Sequence, residues 1–346
     1  MPRTHNATKI TVLAGAALIT TSFSALSHHS RANFRFDSVL ELEGTITAHE
    51  YRNPHTFLTL EMTAADGETV EWLLAGNSVS NLRQVGWTAD TFAVGEQVTV
   101  RGNPDRDPDK LLLFLDTVTK QDGSEYISGR IAPGGQSSES RESVSRSTNF
   151  SGAWQPDFGA RDIAAGFRPA DLPMTQAGQA AVASYDMADD SALNCEPEGL
   201  PMTILPIYPV QFSRNGDTVE IWYEQFDGRR TVHLNMGSHP AGTQPSPLGH
   251  SIGRIEGNLL TIETAHFTED NWGLGRGAPS GLQKTVVEEY LLSADGKTLD
   301  VEYTFNDPEF LTQPVTESGQ LLLNQGYVME EWDCDLNSAR RHLSLD

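Results

Sequence analysis

His28 and His29 directly follow Ala25-Leu26-Ser27, and no other junction in the chain concentrates so much chemistry. Small residues three and one positions before His28 satisfy an A-x-A cleavage pattern, so removal of residues 1–27 is expected to leave His28 as the mature amino terminus. A terminal histidine offers its α-amine and its imidazole Nδ1 to a single ion, and one further imidazole would complete a histidine brace. Amine and imidazole nitrogens suit Cu(II), which heads the divalent affinity order. The candidate metal ligands are therefore His28, His29, His49 and His55, with copper as the expected cofactor. His49 and His55 share parity along a strand-like region, although Pro54 interrupts the alternation; by holding His55 at a loop mouth it makes His55 the better third ligand, with His29 able to replace it in a simpler amino-terminal site. The plain alternative is a solvated tail at 28–29 and a turn histidine at 55.

A second set of residues suits acid–base work. Tyr223, Glu224, His233, His250, Glu288 and Tyr303 all fall in strand-like stretches where alternate residues face inward. One buried carboxylate beside one imidazole could act as general acid and base. The candidate catalytic residues are His250, Glu224, Glu288 and Tyr223, with His250 between two small residues, Gly249 and Ser251. Glu288-Glu289 places one carboxylate inward and one outward. The inward one needs a cationic partner such as Arg229, Arg230 or Arg254. The structural alternative is a satisfied histidine and an ordinary ion pair.

The elements that must position these residues are strands. Arg3 and Lys9 precede an apolar run, Ile10–Ile19, that is too short for a permanent span, so a signal peptide over 1–27 and a periplasmic or secreted product are expected. Roughly 320 residues then remain, enough for two domains. A formal charge of −23 argues against nucleic acid and against an anionic membrane surface. Cys195 and Cys334 predict one disulfide closing a long loop; two free thiols are the alternative.

Alternation over Val39–Tyr51, Thr56–Met62 and Thr69–Ala75 predicts three strands. A short helix follows over Asn77–Val85, then strands at Gln97–Arg101 and Leu111–Lys120. That order is the order of an OB-like barrel, placed at 28–126. It lacks the basic, aromatic face that single-strand binding requires. Residues 127–148, rich in Gly, Ser, Pro and Arg, read as a flexible linker. From 149 to 346, a helical or irregular stretch around Pro173–Tyr185 precedes strands at Val210–Ser213, Thr218–Glu224, Thr231–Asn235, Ile252–Arg254, Leu259–Thr264, Thr285–Leu292, Leu299–Phe305 and Tyr327–Trp332. Asn-Gly and Asp-Gly turns between them predict an antiparallel meander closed into a barrel, with Trp272–Gly277 as a loop.

His28-His29-Ser30, Asn53-Pro54-His55 and Gly86-Trp87 ahead of Gly95-Glu96-Gln97-Val98 resemble a family of exported bacterial proteins of unknown function whose mature chains start at a twin histidine. The second half is similar to another uncharacterised exported family, through Cys195-Glu196-Pro197-Glu198-Gly199, Tyr223-Glu224, Gly249-His250-Ser251-Ile252-Gly253, Glu256-Gly257-Asn258 and Asp307-Pro308. That family carries a histidine near the position of Arg276–Pro279, where this chain has Ser280-Gly281; the resemblance implies an incomplete histidine site there. Gly152-x-Trp154 resembles the first lipocalin motif. Neither family resemblance implies an established activity.

No G-x-S-x-G elbow, H-E-x-x-H pair or phosphate-cradling G-x-x-x-x-G-K is present, which excludes the common serine hydrolase, zinc protease and kinase designs. The expected protein is all-β: a small OB-like barrel, then a larger antiparallel lipocalin-like barrel. Its expected function is binding, with copper at the amino terminus and a small apolar ligand in the second barrel. The alternatives are a periplasmic hydrolase, lyase or isomerase, and an interaction module of an envelope complex.

Overall fold

A computed structural model describes residues 34–341 except 65–66, 129–148, 158–170, 187–189, 198, 205–207, 276 and 325. The expected signal peptide, His28, His29 and nearly all of the expected linker lie outside the described residues. The fold is all-β. No helix among the described residues is long and apolar enough to cross a membrane.

The first barrel comprises β1 (Leu40–Glu50), β2 (Phe57–Thr63), β3 (Thr69–Ala75), α1 (Val79–Arg83), β4 (Gln97–Pro104), β5 (Leu112–Lys120) and β6 (Glu125–Ile127). The sheet runs β3-β2-β1-β4-β5-β6, and a parallel β3–β5 pairing, Leu73 against Leu112, closes it. This is the expected OB-like order with β6 added by a turn at Asp122-Gly123. Ile46, Leu58, Leu60, Leu74, Trp87 and Val100 fill the interior. Ser78 caps α1 by accepting a bond from Asn81 N.

The second barrel contains β7 (Gly152–Pro156), β8 (Val210–Asn215), β9 (Thr218–Tyr223), β10 (Gly228–His233), β11 (His250–Glu256) and β12 (Leu259–Ala265). A two-stranded ribbon, β13 (Asp270–Gly275) and β14 (Ala278–Ser280), interrupts it before β15 (Thr285–Leu292), β16 (Thr298–Asn306) and β17 (Val315–Leu323). Two helices accompany it, α2 (Gln176–Ala183), capped by Thr175, and α3 (Leu336–Arg340). The closed order is β10-β11-β12-β15-β16-β17-β7-β8-β9.

Four local expectations require correction. The meander is broken once, because β10 and β11 pair parallel, Val232 with Ser251 and His233 with Ile252. Asp227-Gly228 is not a two-residue turn; a tight helical turn over Gln225–Asp227, with Phe226 and Asp227 at positive φ, brings β10 in at Gly228. Trp272–Gly275 is strand, because Gly273 lets Ser280 and Lys284 pack where a Cβ would collide. Tyr327–Trp332 belongs to no sheet: its amides at Glu330 and Trp332 donate to the side chains of Glu224 and Asp227. The barrel closes instead through β17, whose Thr-Glu-Ser-Gly-Gln run hides its alternation, with β7 completing the ring.

The segment 327–341 returns to the first barrel. Trp332 O accepts from Asn53 Nδ2, Asp335 N donates to Asn53 O at 2.9 Å, and Ser338 Oγ donates to His55 O at 2.7 Å. Arg341 pairs with Glu50 and lies over the Phe57 ring. The Cys195–Cys334 disulfide ties the same segment to the second barrel.

Candidate functional site

The second barrel has a charged centre. Arg230 faces inward from β10 opposite Ile221, and Glu288 faces inward from β15 opposite Ile262 and Tyr303. β11 and β12 lie between their strands, so the pair bonds across the interior rather than along a ladder. Arg230 Nη1 donates to Glu288 Oε1 at 2.8 Å and Nη2 to Oε2 at 2.6 Å. Nη1 also reaches the Ser251 and Thr264 hydroxyls at 3.2 Å each, and these two hydroxyls are 2.9 Å apart. Tyr290 Oη donates to Glu288 Oε2 at 2.6 Å. Burial alone would lower the Arg230 pKa, but Glu288 overrides it and holds the guanidinium above its usual range.

Tyr223, also inward, sets its ring beside the guanidinium, with the Arg230 Cζ 5.7 Å from the centroid. Burial pushes its hydroxyl up to about 12, so it remains a donor at neutral pH. Tyr290 is raised for the same reason, with the Glu288 carboxylate adding to the shift. Arg230 Nε and Tyr223 Oη make no well-formed hydrogen bond among the described residues, although the Arg230 and Thr203 side chains are close enough to the Tyr223 hydroxyl to favour its ionised form slightly. Both oxygens of Glu288 are committed. The arrangement keeps its one carboxylate occupied.

The sequence-based candidates are dispersed by the fold. Tyr223 and Glu288 meet in the interior, and of the three arginines offered as the cationic partner, Arg229, Arg230 and Arg254, it is Arg230 that pairs with Glu288. Glu224, one residue after Tyr223, turns away to the seam between the barrels. There it accepts from Tyr327 Oη at 2.6 Å and from Glu330 N at 3.3 Å. Burial raises its pKa, and the two hydrogen bonds partly offset the rise. His250 precedes inward-facing Ser251, so it stands on the outer face, stacked on His233 and in contact with His239. Among the described residues no hydrogen bond joins His250 to Glu224, Glu288 or Tyr223.

His49 and His55 also part company. The β1–β2 register shifts between Ile46 and Ala48, leaving Thr47 as an extra residue, so that His49 lies opposite the buried Leu58 and faces the core. Its ring meets Tyr51 and Phe92 edge-on, and burial lowers its pKa. His55 lies on the other side of the sheet, at the seam, against Phe57 and Ser338. The Asn53-Pro54-His55 stretch thereby serves as the platform on which residues 332–338 dock.

Lys284 was not legible as special. It is almost fully buried, donates to Leu200 O and Ser280 Oγ at 2.8 Å and to Gly273 O at 3.3 Å, and sits 4.4 Å from the Phe267 ring centroid. Burial lowers its pKa to about 8 against the pull of Asp270 and Asp307. With three acceptors engaged it pins the β13–β14 ribbon to the 200–204 turn. Nothing in Gly281-Leu282-Gln283-Lys284 marks it in advance, since its acceptors come from three other stretches.

None of the curated proteins compared with the chain matches it. Over residues 16–113, which run from the amino-terminal apolar stretch to the start of β5, the chain is similar to an uncharacterised family described as a family of unknown function, DUF6152.

Proposed function

We propose that this chain is an exported binding protein whose second barrel takes up a small molecule, apolar over most of its surface and carrying one hydrogen-bond acceptor. The observation that carries this reading is that Arg230 Nε and Tyr223 Oη, inside a closed barrel, make no well-formed hydrogen bond among the described residues, the Tyr223 hydroxyl having Arg230 and Thr203 as polar neighbours. A buried donor left unmatched costs about 1–3 kcal/mol, and an acceptor on a ligand relieves that cost. Glu288 already answers the charge of Arg230, so the complementary group is a neutral carbonyl, ether or hydroxyl oxygen rather than a carboxylate. Phe212, Val219, Ile221, Ile262 and Val286 supply apolar walls. Export is supported by the pattern of residues 1–27, and a Cys195–Cys334 bridge fits an oxidising compartment.

The test is titration with Nile red, a neutral apolar dye bearing a ring carbonyl, alongside mass spectrometry of a solvent extract of the purified protein. Saturable binding is expected, weakened about tenfold by Tyr223→Phe, which is the loss of about 1.4 kcal/mol. An empty extract together with no saturable dye binding would sink the reading.

A second reading keeps copper at the amino terminus and is supported by His49. Its Nε2 is buried and makes no well-formed hydrogen bond among the described residues, while the Phe92 and Ala89 backbone lies within reach of the ring, an arrangement that would orient a ligand imidazole. Copper content of the signal-processed chain, compared with His28→Ala and His49→Ala, tests it. Unchanged copper in both variants would exclude it.

A further inference from the structure

The outer face of the second barrel carries a cluster that the interior site does not use. Because β10 and β11 run parallel, residues 234–249 must travel back along the barrel before β11 can begin. That return sets His239 against His250. Four of the six histidines among the described residues meet here: His233 ends β10, His239 lies on the return, His250 starts β11 and His266 follows β12.

The geometry is close. His239 Nδ1 and His250 Nδ1 are 2.8 Å apart and share a hydrogen bond in which one ring donates and the other accepts. His233 stacks on His250 with centroids 5.2 Å apart and 16° between planes, and His266 meets His239 edge-on at 5.3 Å. Ser246 ties the return to the strand end that carries His266. Its N donates to His266 O at 3.1 Å, its O accepts from Thr268 N at 3.1 Å, and its Oγ donates to Gly249 O at 3.1 Å. Burial lowers the pKa of His239 and of His250, and neighbouring imidazoles lower both further, so both rings favour the neutral form, with one proton held in the Nδ1–Nδ1 hydrogen bond that any ion bound there would displace.

Two imidazole nitrogens bonded to one ion at about 2.0–2.1 Å lie roughly 2.9 Å apart at a right angle and roughly 3.3 Å apart at the tetrahedral angle. The observed separation is near the first value. Among the described residues no three donors already converge on one point. His233 and His266 are only half-buried, and each can complete the set by turning about its own side-chain bonds. We propose that His239 and His250, joined by His233 or His266, form a binding site for a late first-row divalent metal ion of the copper, nickel and zinc class. Imidazole nitrogen is the ligand these ions favour. The site uses none of the residues of the barrel interior.

The experiment is zinc titration by calorimetry on the full chain carrying His28→Ser and His29→Ser, which removes the amino-terminal imidazoles from the background. One zinc per chain is expected, bound at least tenfold more weakly after His239→Ala or His250→Ala. No binding by the parent chain, or equal stoichiometry and affinity in these variants, would overturn the proposal. If either alanine variant fails to fold, His266→Asn and His233→Gln decide. Asn tolerates the φ of +60° found at His266. Weakened binding in either supports a three-imidazole site, and unchanged binding in both overturns it.

Discussion

Arg230 and Glu288 join two strands that are not neighbours, through two charge-assisted bonds of 2.8 and 2.6 Å across the inside of the second barrel. Removing one partner leaves the other charge buried and alone. Glu288→Gln should therefore cost about 3–5 kcal/mol, read as a lowered denaturation midpoint in urea. The double replacement Arg230→Met with Glu288→Leu should cost much less than the sum of its parts, since no orphan charge survives. Simple additivity would mean that the pair does not act as a unit.

Gly249 should not accept a side chain. Its φ is +67°, and a Cβ there would lie 2.7 Å from Ala265 O and 2.9 Å from Phe267 Cε1. Gly249→Ala is expected to destabilise by roughly 2 kcal/mol or more and to displace His250. Wild-type stability in this variant would show that the chain enters β11 by another route.

Asn53 should act as a fastener between the barrels. It is buried, it accepts from Val79 N at 3.0 Å, and it donates to Trp332 O. Asn53→Ala strands two backbone groups and should cost roughly 2–4 kcal/mol in a denaturant titration. Protease cleavage near residue 332 should quicken in parallel. An unaffected cleavage rate would mean that the segment is held by its other contacts alone.

Reduction of Cys195–Cys334 releases a cross-link spanning 139 residues. A loop of that length predicts a loss of about 4–5 kcal/mol. The midpoint measured with and without reductant, on an otherwise identical sample, gives the figure directly.

Stability should fall on mild acidification. Burial lowers the folded-state pKa of His49, His239 and His250 below the ordinary value of 6.5. Between the folded pKa values and about 6.5 the unfolded chain therefore binds more protons. Stability then rises with pH through that window, is complete above about 6.5 and is lost as pH falls below it. Denaturation midpoints compared at about pH 7.5 and pH 5.5 should show the fall, and His239→Gln with His250→Gln should shrink it.

Much of the architecture was legible in the chain itself. Period-2 alternation and Asn-Gly or Asp-Gly turns are local properties, so β3 and β15 emerge at their observed bounds and the OB-like order is readable before any contact is known. The need of an inward Glu288 for an arginine was legible too, because burying a lone carboxylate is prohibitive whatever the fold. What was hidden depends on pairing. β17 has a weak pattern and forms because β16 and β7 flank it, whereas Tyr327–Trp332 has a good pattern and joins no sheet because side chains take its amides.

The sites divide along the same line. Residue type and spacing alone singled out Tyr223, Glu288, His250 and the histidines of the first barrel as chemically able groups. Which of them meet was decided in three dimensions. A one-residue shift at Thr47 turns His49 toward the core and away from His55, and strand parity sends Tyr223 inward while Glu224 goes to the seam. A single parallel strand pair sends the chain back across the barrel and carries His239 to His250. Local alternation specifies which side of a strand a residue occupies only while the register is unbroken, and it is silent about which strands become neighbours.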